Sequence, residues 1–125
     1  MSTAAHSAAD EPVTPQPVST PEDLRAALAM LAPEALTTFD AERAAALEQT
    51  REQVSAAPMR RFVGQWAVYV AVERHPAQAA RLRALEARAS TVGSVEEARA
   101  IASEIGRILD TACAEAGIER GQGVA

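Results

Sequence analysis

The chain has 125 residues, 48% of them hydrophobic and 3% aromatic, one cysteine and a formal charge of −5. That length fits one domain, a lone cysteine excludes an internal disulfide, and the acidic balance disfavours nonspecific nucleic-acid binding. All 12 basic residues are arginine, so Schiff-base chemistry and a P-loop are excluded, and no single arginine can be read as chosen for bidentate recognition.

Alanine fills 30 of the 125 positions, which favours helix but leaves little volume for a core. Residues 1–19 are Ser, Thr, Ala and Pro, with prolines at 12, 15 and 17, and are expected to be a disordered Pro-rich tail. The N-terminus has no early positive charge and no apolar run before Pro12, so the expected compartment is the cytoplasm.

Five helices are predicted between residues 20 and 117, which makes the fold class all-α, a small bundle. Thr20 caps the first, with Pro21 at its opening position, Glu22 and Asp23 in the first turn, and Leu24, Leu28 and Leu31 on one face. Pro33 opens the second, whose apolar members are Leu36, Phe39, Leu47 and Val54; Asp40, Arg43, Glu48, Arg51 and Glu52 occupy the rest.

Pro58 begins the third helix, which carries Met59, Phe62, Val63, Trp66 and Val70 at helical spacing. Its second half is apolar on every side, so it should be the central element. Val68, Val70 and Val72 also alternate as a strand would, but no second strand is available to pair with them. The run from Trp66 to Val72 is far too short to span a bilayer.

The fourth helix, opened by Pro76, turns Ala79, Leu82 and either Leu85 or Ala89 inward and displays Arg81, Arg83 and Arg88. Ser94 and Glu97 form a capping box for the fifth, which Gly117 ends. Ala98, Ile101, Ile105, Ile108, Ala112 and Cys113 then repeat every three or four residues as an apolar seam. The seam packs either inside the domain or against a second copy, and Ile101, Ile105, Ile108 and Ala112 are the candidate dimer residues. Residues 118–125 should fray.

No catalytic, cofactor-binding or metal-ligating constellation is present. His75 has no partner except His6 in the tail, and reads as a surface or cap residue at a helix boundary. Cys113 on the seam reads as a small hydrophobe. Residues 121–123, Gly-Gln-Gly, lack the strand and helix of a phosphate loop.

Charge is unevenly placed. Residues 1–57 hold three Arg against nine acids, residues 58–90 six Arg against two Glu, and residues 91–125 three Arg against six acids. The central six, Arg60, Arg61, Arg74, Arg81, Arg83 and Arg88, either form a basic surface for an acidic partner or phosphates, or neutralise the acidic helices of the same domain. Internal neutralisation is the favoured reading.

Pro21, Leu24, Arg25, Leu28, Pro33, Glu34, Phe39, Glu42, Leu47, Pro58 and Trp66 together form a pattern over residues 20–89. In this pattern the chain resembles a family of short actinobacterial-type helical proteins of uncharacterised function, antitoxin-like and encoded beside RelE/ParE-like toxins. The resemblance implies a protein that binds and occludes a small basic toxin. Phe39 and Leu47 would then enter the partner's groove while Asp40, Glu42, Glu48 and Glu52 meet its basic surface. Two alternatives stand beside it: a homodimer zipped through the isoleucine seam, and a DNA-binding regulator using the arginine cluster.

Overall fold

Capping residues and prolines set the helix boundaries. The computed structural model describes residues 11–118, and among them are five α-helices, one 3-10 turn and no strand. Helix α1 is Pro21–Leu31, the 3-10 turn Pro33–Ala35, α2 Leu36–Gln53, α3 Ala57–Glu73, α4 Pro76–Ala89 and α5 Val95–Glu115. The strand alternative for residues 66–72 is therefore settled in favour of helix.

Thr20 Oγ1 accepts the Asp23 amide at 3.1 Å and Ser94 Oγ accepts the Glu97 amide at 3.1 Å, as N-caps do. Only half of the expected capping box forms at Ser94, because the Glu97 carboxylate is drawn to Arg88 instead. Helix α5 ends in a Schellman motif, with Gly117 at φ 75°. The Ile118 amide donates to Cys113 O at 2.8 Å and the Gly117 amide to Ala114 O at 3.2 Å. This turn returns Ile118 to the core, against Gly64.

Helix α2 also ends in a left-handed residue, Val54 at φ 49°, ψ 52°, with the Val54 and Ser55 amides both donating to Thr50 O. A β-branched residue is strained there, and this one is 90% exposed.

Helix α3 is central, touching each of the other four helices. On one side Leu24, Leu28, Phe39, Phe62, Trp66 and Val70 join α1, α2 and α3. On the other, Ala71 and Val72 meet Ala79 and Ala112, small residues that let helices approach closely. A third cluster, Leu85, Ile101 and Ile108, closes α4 on α5.

The disordered tail expected to reach residue 19 needs correction over its later part. Residues 1–10 lie outside the described residues, whereas residues 13–16 are strapped to the bundle. The Val13 amide donates to Arg74 O at 2.7 Å, Arg74 Nη1 donates to Thr14 O at 3.0 Å, and Gln16 Nε2 donates to Ala67 O at 3.0 Å. Hydrogen bonds to a buried arginine offset the ordering entropy that the polar composition alone would not. The fraying expected from residue 118 is likewise corrected at Ile118, and residues 119–125 lie outside the described residues.

Candidate functional site

The acidic helix does not present the surface expected of it. Phe39 is 0% exposed, its ring 5.0 Å from Phe62 and 5.2 Å from Trp66, so it holds the core and cannot enter a partner's groove. Sequence spacing placed it on the apolar face correctly, but that face is covered by α1 and α3. Glu42 is committed as well: its Oε1 accepts the Trp66 indole N–H at 2.9 Å. Burying an indole leaves a donor that needs such a partner.

Asp40 takes two hydrogen bonds from Arg25, each 2.8 Å, and Arg43 reaches Glu22 at 2.8 Å, so two ion pairs staple α1 to α2. These guanidinium contacts hold the Asp40 and Glu22 carboxyls below their ordinary range; at Glu22 a backbone hydrogen bond contributes most. Glu48 pairs with Arg51 one turn on, at 3.4 Å. Of the six expected contact residues, Leu47 and Glu52 remain exposed without an ion pair among the described residues.

The isoleucine seam is interior. Ile101, Ile108 and Ala112 are buried against α3 and α4, with Ile105 half-buried beside them, so these residues are not a free face for a second copy. Cys113 is buried and free on the same side.

Nor do the six central arginines form one basic face. Arg81 grips Glu104 through two bonds of 2.7 and 2.8 Å, Arg83 meets Glu73 at 2.9 Å, and Arg88 pairs with Glu97. Arg74 is buried and donates to Glu115 Oε1 at 2.9 Å, which also lies 3.0 Å from His75 Nε2. His75 is thus a half-buried member of the Arg74 cluster at the start of α4. Of these six, Arg60 and Arg61 alone stand exposed without an ion pair among the described residues.

An apolar hollow lies elsewhere, between α3, α4 and α5. It has a volume of about 470 Å³ and is walled by Trp66, Val68, Tyr69, Val72, Leu82 and Leu109, with Glu73, Arg83 and Glu86 around it. Its size and apolar walls are those of a binding cleft. The Trp66 and Tyr69 rings meet edge to face at 5.0 Å. Burial pushes the Tyr69 phenol up, and Glu73 and Glu34 push it further.

Sequence reasoning took the aromatic stretch purely as core. The signal it missed is the pairing of Tyr69 with Glu73 and of Leu82 with Glu86, each four apart. Both place an acid one turn beyond an apolar residue on facing helices. No group of three or more His, Cys, Asp and Glu suited to a metal occurs among the described residues, and no described helix is long and apolar enough to cross a membrane.

The fold and cleft define a small all-helical protein with an apolar recess at the junction of three helices. By its sequence the chain belongs to DUF6247, a family of unknown function whose model matches residues 12–109. No curated protein and no solved structure matches it.

Proposed function

We propose that this chain is a non-enzymatic interaction module of the cytoplasm, antitoxin-like, which binds and occludes a small basic protein. The observation that carries the reading is the open apolar cleft between α3, α4 and α5, acidic at its rim, in a molecule whose other charges mostly pair with one another. The overall charge of −5 favours encounter with a basic partner. A buried free cysteine suits a reducing compartment.

Occlusion is steric in this reading. A helix of the partner lays its apolar face in the cleft, and the body of the bundle covers the partner's working surface. The earlier assignment of that task to Phe39 and Glu42 gives way, since both are engaged in the core.

Co-expression with the adjacent reading frame tests the proposal. The expected outcome is that the neighbour is toxic alone, tolerated with this chain, and co-purifies with it in a salt-sensitive complex. A neighbour that is harmless and does not co-purify would contradict it.

A further inference from the structure

The walls of the cleft are apolar but its rim carries an excess of negative charge. Arg83 is the only guanidinium among its lining residues, and it donates to Glu73 Oε2 at 2.9 Å. The Glu73 side chain is 10% exposed beneath it, so this carboxylate is already neutralised. Glu86 lines the same hollow and has no ion pair among the described residues. Glu34, at the tip of the 3-10 turn, is exposed and near enough to act electrostatically on both Tyr69 and Arg83. Glu86 in the lining and Glu34 within electrostatic reach of Tyr69 therefore add negative charge around a cleft walled in part by a half-buried tyrosine ring.

An aromatic face with anionic neighbours attracts a cation, and an apolar wall beneath it suits the aliphatic stem of a long basic side chain. A bare metal ion fits poorly, because the carboxylates do not converge and the walls are hydrocarbon. The volume is that of a side chain together with its neighbour one helical turn away, rather than of an ion.

We infer that the cleft receives an Arg or Lys side chain carried, with an adjacent aliphatic residue, on a helical segment of a protein partner. The cation lies on the Tyr69 ring toward Glu34 and Glu86, and the aliphatic residue fills the hollow against Val72, Leu82 and Leu109. This rests on the reading of the chain as a protein-binding module, and it names the chemistry of the segment that is bound.

Trp66 is the only tryptophan and lines the cleft in contact with Tyr69, so its emission reports occupancy. The probe is a short capped helical peptide of Leu, Ala and Arg without aromatic residues, titrated beside a control with Gln at every Arg position. The Arg peptide is expected to shift the emission saturably and the control to bind at least about tenfold more weakly. Glu34→Gln combined with Glu86→Gln should weaken the Arg peptide about tenfold. Tyr69→Phe, which keeps the ring, should bind as the parent does, and Tyr69→Leu several-fold more weakly.

Equal binding of the Gln control, or unchanged affinity in the double Glu variant, would overturn the assignment. So would saturation of the same signal by ethylguanidinium at peptide concentrations, which would make the site one for a free small cation. If Tyr69→Leu fails to fold by circular dichroism, the double Glu variant decides, because Glu34 and Glu86 are exposed. Peptide binding without a co-purifying neighbour would preserve the cleft assignment and count against the antitoxin reading. A neighbour retained by the double Glu variant would do the reverse.

Discussion

Glu42 and Glu48 sit six residues apart on α2 in similar sequence surroundings, yet they have opposite weight. Glu42 satisfies the Trp66 indole, whereas Glu48 makes an exposed pair with Arg51. Glu42→Ala should cost about 1–2 kcal/mol, the penalty of a buried donor left unpaired, while Glu48→Ala stays within about 0.5 kcal/mol. Urea midpoints compare the two directly. Val54 is a second residue whose backbone decides the outcome. Val54→Gly removes left-handed strain without uncovering any core and should raise stability by about 0.5–1 kcal/mol; a fall in the thermal midpoint would show that the strain is absent. Neither effect is legible in the sequence. Nothing local to Glu42 announces that Trp66, on another helix, will need an acceptor, and Val54 reads as the last apolar position of a face.

Helix positions were legible because prolines 21 and 76 and the caps Thr20 and Ser94 are local signals that tertiary packing did not override, whereas Pro33 opens a 3-10 turn ahead of α2 and α3 starts one residue before Pro58. Helix partners were not, because an amphipathic face records that it is buried and not what buries it. The α5 seam could equally have met a second copy; in the fold it meets Leu85 and Val72 of the same chain. Ile108→Asp should therefore unfold the α4–α5 unit, seen as lost helical signal at 222 nm. A well-folded monomer obtained from a dimeric parent would instead place the seam between chains. The strap at residues 13–16 was missed for a related reason: its order comes from Arg74 and Ala67, some sixty and fifty positions away.

At the scale of the whole molecule, charge is mostly compensated through the ion pairs that join helices, and stability should follow their titration. Asp40, Glu22 and Glu104 have carboxyls held below the ordinary range, chiefly by Arg25 at Asp40, by a backbone hydrogen bond at Glu22 and by Arg81 at Glu104. Groups lowered in the folded state bind more protons when unfolded, so their contribution is complete above the unfolded value near about 4 and lost as pH falls through the lowered ones. Tyr69 is raised, by burial first and then by Glu73, so its contribution is complete below about 10 and lost as pH rises through the folded value. The thermal midpoint should thus be flat between roughly pH 5 and 9 and fall on both sides. Because Tyr69 is the only tyrosine, absorbance near 295 nm follows the alkaline limb at that one site. A phenol titrating at or below its ordinary value would contradict the cleft's electrostatics.

The aromatic stretch between Pro58 and Pro76 thus serves two ends, with Trp66 and Phe62 inside the core and Tyr69 at the wall of the cleft. The proposal that a protein partner is bound at that cleft, and not at the acidic helix α2, is tested most directly by pull-down of the co-expressed neighbour. Three chains are compared: the parent, Glu34→Arg with Glu86→Arg, and Glu48→Arg with Glu52→Arg. The expected result is that the neighbour is retained by the parent and the α2 variant and lost from the cleft variant. Retention by the cleft variant with loss from the α2 variant would contradict it.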